Sequence, residues 1–301
     1  MRFLLHEIPN LRPGSIASRP SKTCKSPYVA DVITQDNGSA LMVHTPSLGC
    51  CGLVEKGSMV YISEIKCSKK RSPQTKPTCS HRAELASIQE GNHIQIIGVS
   101  PKLAETIAEN ALIANCIQGL TLRDPYSYTR ETTMLSSRFD FAGVCKSGQE
   151  FVMEIKNVPL ADYVDVPKKE RRKYDNIVKN MKYTEKISYF PDGYRKNSTD
   201  VVSPRALKHI KELEEIARTT NKRAILCFVV QRTDVACFQP SNIDLTYKKA
   251  VQSAWMSGVE IKTIQVRWSA SSGKCYFVRN DLPIHLFDTY GPLSAEDTEM
   301  L

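Results

Sequence analysis

The chain contains no run of about eighteen consecutive apolar residues, so no segment reads as a helix able to cross a bilayer. Its ten cysteines include no C-x-x-C pair, and no secretory leader is read ahead of them. The thiols are therefore expected to be reduced and mostly buried, in a soluble intracellular protein. His44, Cys50, Cys51, Cys67, Cys79 and His81 hold enough donors for a zinc ion. Without paired spacing, structural burial is the simpler expectation for them. No internal repeat is evident. The first 27 residues carry five Lys or Arg against one Glu, which leaves organelle targeting open, although Pro9, Pro13 and Pro20 interrupt any amphipathic helix there.

What the chain does have is positive charge and enough length for two cores. Lys and Arg number 41 against 32 Asp and Glu, a formal net charge of +9, which favours a polyanionic partner such as nucleic acid or an anionic surface. From Tyr28 to Ile97 the sequence reads as five short strands separated by turns: 28–33, 40–44, 59–65, 83–88 and 93–97. That number suits a small barrel of the OB type. Between the third and fourth strands lies a loop with Lys66, Lys69, Lys70, Arg71, Lys76 and Arg82 and no acid, a candidate contact for a phosphate backbone.

A second unit begins at Ser100-Pro101, a cap followed by proline at the first helical position, with Leu103, Ile107, Ala111 and Ala114 at helical spacing. Two strands, 138–145 and 151–158, follow as a hairpin across Lys146-Ser147-Gly148-Gln149. Then come a helix opened by Ser203-Pro204, a buried strand 224–230, a helix bearing Tyr247, Val251 and Trp255 inward, and a strand 259–268. Residues 161–188 look like a solvated basic insertion around Lys168-Lys169-Glu170-Arg171-Arg172-Lys173. The expected division is 1–97 for the barrel, 98–288 for the second domain, and 289–301 for a disordered tail.

The chemistry concentrates in the hairpin. Alternation puts Phe151, Met153 and Ile155 on one face of the second strand and Glu154 with Lys156 on the other. On the first strand Phe139 and Phe141 share one face and Arg138 with Asp140 the opposite one, so pairing can bring Asp140 beside Glu154. Two adjacent carboxylates repel each other, and a hard cation such as Mg²⁺ or Mn²⁺ relieves that repulsion. Lys156 could then orient a water or neutralise charge on a scissile phosphate. Glu131, nine residues before Asp140, could reach the same cluster. The competing reading is a surface salt bridge, which a short D…E-x-K pattern also produces.

Several segments together resemble the sugar fermentation stimulation protein family (SfsA). They are Ser26-Pro27-Tyr28-Val29-Ala30-Asp31-Val32, His44-Thr45-Pro46-Ser47-Leu48-Gly49, Ser137-Arg138-Phe139-Asp140-Phe141 with Glu131 ahead of it, Glu154-Ile155-Lys156-Asn157-Val158-Pro159-Leu160, Phe190-Pro191-Asp192, Lys208-His209 and Val230-Gln231-Arg232-Thr233-Asp234. The resemblance implies an α/β (α+β) protein: a small OB-like β-barrel followed by a restriction-endonuclease-like αβββαβ domain with a PD-(D/E)xK site. It implies metal ligands at Asp140 and Glu154, a supporting acid at Glu131, and Lys156 as the motif lysine. Arg138, Asn157, Asp192, His209, Gln231 and Arg232 become candidates for phosphate contact or for supporting the site. The expected function is DNA binding with a Mg²⁺- or Mn²⁺-dependent nuclease site, with RNA left open, no membrane partner and a homodimer as an option. The alternatives are a DNA-binding regulator without turnover and a basic scaffold for protein or anionic lipid. Where family members carry Cys-Pro-Asn-Thr-Gly after the histidine, this chain has Thr45-Pro46-Ser47-Leu48-Gly49.

Overall fold

A computed structural model describes residues 3–46, 52–65, 79–193 and 200–288. Lys69, Lys70 and Arg71 of the basic loop, Cys50, Cys51 and Cys67, and the tail 289–301 lie outside the described residues. Among those described, no helix is long and apolar enough to cross a membrane.

The amino-terminal half is almost wholly strand: β1 (Leu4–Glu7), β2 (Arg12–Ser18), β3 (Val29–Thr34), β4 (Ala40–His44), β5 (Met59–Glu64), β6 (His81–Glu90) and β7 (His93–Gly98). Strands β2 to β7 form one sheet in the order β4-β3-β2-β5-β6-β7, and a parallel pairing of β4 with β6 closes five of them into a ring. Ile16, Val32, Val43, Val60, Ile62 and Ala86 fill that ring, none more than 2 % exposed. A small barrel is expected from five strands, but the ring takes in β2, which composition hides, and leaves β7 outside it. Pro13 and Gly14 argue against a strand at 12–18. Yet β2 runs between β3 and β5, and a Cβ at residue 14 would stand 2.6 Å from Val32 Cγ1, so only glycine lets the two strands approach.

The second half contains α1 (Pro101–Ile113), β8 (Tyr128–Met134), β9 (Ser137–Val144), β10 (Glu150–Val158), β11 (Ala161–Asp162), α2 (Asp175–Val178) and β12 (Lys186–Phe190). It continues with α3 (Pro204–Thr219), β13 (Arg223–Val230), β14 (Val235–Pro240), α4 (Leu245–Met256), β15 (Glu260–Ser269) and β16 (Lys274–Arg279). A seven-stranded sheet in the order β1-β16-β15-β13-β10-β9-β8 forms its centre, with β10, β13 and β15 parallel. The apolar stripe of α1, Leu103, Ile107, Ala108 and Ala111, packs with Phe151, Met153 and Ile155 from one face. Ile210 and Leu213 of α3 and Val251 of α4 pack with Val152, Leu226 and Phe228 from the other. Ser203 accepts the Ala206 N–H and Asp244 accepts the Tyr247 N–H, so both later helices begin at side-chain caps.

Three expectations need correction. The boundary at residue 97 is crossed, because β1 pairs antiparallel with β16, and Leu5 packs beside α1, with its carbonyl accepting from Asn110 Nδ2 at 2.6 Å. Trp255, placed inward from spacing, is half-exposed at the end of α4 and meets Phe287 edge-on. The 161–188 segment is anchored rather than solvated throughout: β11 and β12 join β14 in a three-stranded sheet. Val164 and Asp165 are 1 % exposed, and Asp165 accepts from Gln239 Nε2, Ser241 Oγ and the Asn242 N–H, each at 2.7 Å. The charge run from 168 to 173 masks the short apolar stretches on either side that do the anchoring.

The two halves meet at a buried ionic cluster. Arg232 donates from Nε and Nη2 to the two oxygens of Asp234, at 2.7 and 2.6 Å. Lys186 lies 3.2 Å from Asp234 and 3.0 Å from Glu90 of the barrel, with its ammonium 3.8 Å from the Tyr183 ring centre. Asp234 therefore balances two cations that are themselves almost fully buried. Breaking a buried pair from one side leaves an uncompensated charge, so Asp234→Ala should cost about 3–5 kcal/mol, read as a lowered urea midpoint. A midpoint equal to that of the unaltered protein would show that water already screens the cluster.

Candidate active site

Strands β9 and β10 form the expected hairpin, turning through Gly148 at φ 87°, a left-handed conformation that glycine adopts without strain. Their ladder runs in register from Glu150↔Val144 to Met153↔Phe141 and stops there. One step further on, Asp140 substitutes a side chain for the ladder: the Ile155 N–H donates to its Oδ2 at 2.7 Å. Glu154 thus emerges beside Asp140 where the strands part, on the face covered by α3. His209, inward on α3, donates from Nδ1 to Glu154 Oε1 at 2.5 Å, and Lys156 donates to the same oxygen. Glu154 is 3 % exposed, and its other oxygen, Oε2, is buried with no partner among the described residues.

A cleft of about 260 Å³ opens over this point. Asp140, Glu154, Lys156 and Asn157 line it from the hairpin, and Tyr189, Phe190 and Asp192 from the end of β12. Glu105 of α1 and Arg205 of α3 complete it. Neither of these last two was visible in the sequence. Glu105 flanks the buried stripe of α1, and Arg205 follows Pro204 in the first turn of α3. Only the meeting of the two helix starts at one strand end brings them together.

Burial, and next the charge of Glu154, push the Asp140 carboxyl up to about 6. Burial also acts to raise Glu154, but Lys156 and His209 outweigh it and hold that carboxyl below its usual value. Burial raises Glu105 as well, against the opposing pull of Arg130. The cleft therefore holds one firmly ionised carboxylate, one that resists ionisation beside it, and an orphaned oxygen.

The remaining expected residues divide cleanly. Asp192 lines the cleft, with Arg171 Nη2 at 3.9 Å from its carboxylate. Gln231 is fully buried and donates from Nε2 to Asn157 Oδ1 at 2.8 Å. Glu131 is not among the cleft residues. Its backbone is left-handed at φ 53°, and its exposed carboxylate pairs with Arg138 at 3.2 Å, so these two hold each other at the surface. Glu105, not Glu131, is the acid nearest the expected supporting role. Arg232, expected at phosphate, is 2 % exposed and locked on Asp234, which removes it from any ligand.

Oxygen donors without a thiol or imidazole facing the cleft suit a hard divalent cation, and the unpartnered Glu154 Oε2 supplies a reason for one. Among the described residues no three His, Cys, Asp or Glu side chains converge as a metal-binding group. A cation here would draw on two carboxylates and complete its shell with water or substrate oxygens, as Mg²⁺ commonly does.

The raised Asp140 carboxyl has a sign that can be measured without any metal. The folded protein holds this proton more tightly than the unfolded chain, whose aspartates titrate near about 3.9. The stability it contributes is full below about pH 4 and is lost as pH rises through about 6. In chelator-treated protein, Asp140→Asn should flatten the fall in melting temperature across that interval. Parallel curves for variant and parent would sink the assignment.

Two comparisons with known proteins bear on this geometry. The family model described as "Sugar fermentation stimulation protein RE domain" matches residues 164–272, a span that contains Asp192, Arg205, His209 and Gln231 and begins just after the Asp140, Glu154 and Lys156 cluster. A solved structure, that of Pyrococcus furiosus SfsA in complex with Ca²⁺, superposes with a TM-score of 0.67 at 18 % identity, covering 94 % of this chain and 99 % of that one. The likeness is one of fold, and it spans both the barrel and the seven-stranded sheet. Residues 164–272 thus match the model of the sugar fermentation stimulation RE domain, within a two-part fold shared almost end to end with the P. furiosus SfsA structure.

Proposed function

We propose that the protein binds DNA and that the cleft at Asp140, Glu154 and Lys156 is a divalent-metal site for phosphodiester hydrolysis. The observation that carries this reading is the buried Glu154 Oε2, unpartnered among the described residues, beside a carboxylate whose ionisation is disfavoured. The P. furiosus relative, described in complex with Ca²⁺, supports a hard divalent ion as the ligand. Mg²⁺ or Mn²⁺ would polarise a phosphate oxygen and lower the pKa of a bound water.

The protein's own groups supply the rest. Asp140 and Glu154 would hold the ion, with His209 engaging Glu154 through Oε1 and leaving Oε2 without a hydrogen bond among the described residues. Lys156 sits against Glu154 and adds positive charge where a phosphate would gain negative charge in the transition state. Arg205 at the start of α3 adds a second cation on the opposite wall. The net charge of +9 draws a polyanion to this surface without selecting its sequence.

One observation favours a second reading, a DNA-binding regulator that retains the site without turnover. Lys156 lines the cleft but is engaged by Glu154 rather than free to meet a phosphate.

Incubation with plasmid, linear duplex and single-stranded DNA separates the two. Hydrolysis in Mg²⁺ or Mn²⁺ should fall by about 10²-fold or more in Asp140→Ala and Lys156→Ala. Ca²⁺ should raise the melting temperature of the unaltered protein and leave that of Asp140→Ala unchanged. Salt-sensitive binding with no cleavage in any metal establishes the regulator. Absence of both binding and cleavage sinks both readings.

A further inference from the structure

Asn157 lines the cleft, and its donor–acceptor polarity is dictated from the far end of a buried side-chain chain. Trp268 of β15, 4 % exposed, donates from Nε1 to Gln231 Oε1 at 2.8 Å. An indole can only donate, so the face of the Gln231 amide toward Trp268 must be the oxygen. The Gln231 nitrogen is then compelled to point the other way, where it donates to Asn157 Oδ1 at 2.8 Å. With its oxygen turned toward Gln231, Asn157 presents its NH₂ group on the other side, and among the described residues that nitrogen has no partner and is not buried.

Gln231 cannot easily turn out of this arrangement. It is fully buried, its backbone N–H donates to Val158 O at 3.0 Å as the β10–β13 ladder ends, and Gly98 of the barrel packs directly on its amide. A Cβ at residue 98 would lie 2.3 Å from Gln231 Oε1 and 2.9 Å from Trp268 Nε1, so the close approach of β7 depends on glycine and in turn confines the glutamine. Either amide alone could be flipped without changing its shape. The donor-only tryptophan removes that freedom from both.

We infer that Asn157 is the neutral hydrogen-bond donor to a backbone phosphate oxygen in the cleft, and that Trp268, acting through Gln231, is the positioning residue that keeps its NH₂ group facing the ligand. The inference rests on the reading of the cleft as a nucleic-acid backbone site, and adds a donor independent of the cation. An anion oxygen accepts from such a group, whereas a flipped Asn157 would present its carbonyl and repel it.

The test is a double-mutant cycle on binding rather than on cleavage. A labelled short duplex DNA is titrated with the full chain in Ca²⁺, read by fluorescence anisotropy. Asn157→Ala should weaken binding about tenfold, and Trp268→Phe should weaken it by up to that amount. The double variant should be no weaker than Asn157→Ala alone, because Trp268 acts only through Asn157. Gln231→Met, which conserves volume, should reproduce the Trp268→Phe result and replaces it in the cycle if the phenylalanine variant fails to fold. The rise in melting temperature with Ca²⁺ should persist in Asn157→Ala, which separates this donor from the metal ligands. An unchanged affinity in Asn157→Ala, or additive losses in the double variant, overturns the inference. Binding with the expected coupling but no hydrolysis overturns only turnover, and no binding by the unaltered protein overturns both.

Discussion

The contact between the Ile155 N–H and Asp140 Oδ2 holds the candidate site in place. A β ladder normally satisfies each N–H with a carbonyl of the neighbouring strand, which keeps the two strands closed. Here the ladder between β9 and β10 ends after Met153↔Phe141, and a carboxylate takes over the next donor. The strands can then diverge without leaving a buried N–H unsatisfied. The gap so made is where Glu154 stands, and the helices α1 and α3 both begin beside it, bringing Glu105 and Arg205 to its walls. One side-chain oxygen thus does structural duty while its partner oxygen remains for the cleft.

The surroundings are stiff where the site needs precision. His209 and Lys156 converge on one oxygen of Glu154, leaving the carboxylate little rotational freedom. Asn157 is fixed through Gln231 and Trp268. The wall that carries Tyr189 and Asp192 is tied down by Arg171, which donates to the Tyr189 hydroxyl at 2.8 Å and pairs with Asp162 at 2.6 Å. These supports come from α3, β13, β15 and the 161–188 segment in turn. A mutation far from the cleft can therefore disturb its geometry by loosening any one of them.

Much of this was legible in the sequence because it depends on period. The alternation in Phe151 to Lys156 and the helical spacing of Leu103, Ile107 and Ala111 each locate an element and the face it buries. Residues that break local rules were misread. Pro13 and Gly14 hide β2, where tight strand packing overrides propensity. Arg232 reads as a candidate phosphate contact, whereas its bidentate partner two residues on holds it buried. Glu131 suggests a ligand by proximity in sequence, but a left-handed backbone and Arg138 hold it outward. Glu105 and Arg205 carry no local signal at all, since their placement follows from where two helices start relative to a third element.

The pairing of β1 with β16 has a consequence for how the molecule comes into being. Residues Leu4–Glu7 hydrogen-bond with Lys274–Arg279, so β1 emerges from the ribosome long before the strand it pairs with. During translation the barrel strands β2 to β6 can close as soon as they emerge, since their partners all lie within one stretch of chain. The β1–β16 edge of the seven-stranded sheet must wait until β16 has emerged, and pays the loop-closure entropy of that separation. Closure of that edge consequently follows the pairing of β8, β9, β10 and β13 around the candidate site, whose partners lie much nearer in the chain.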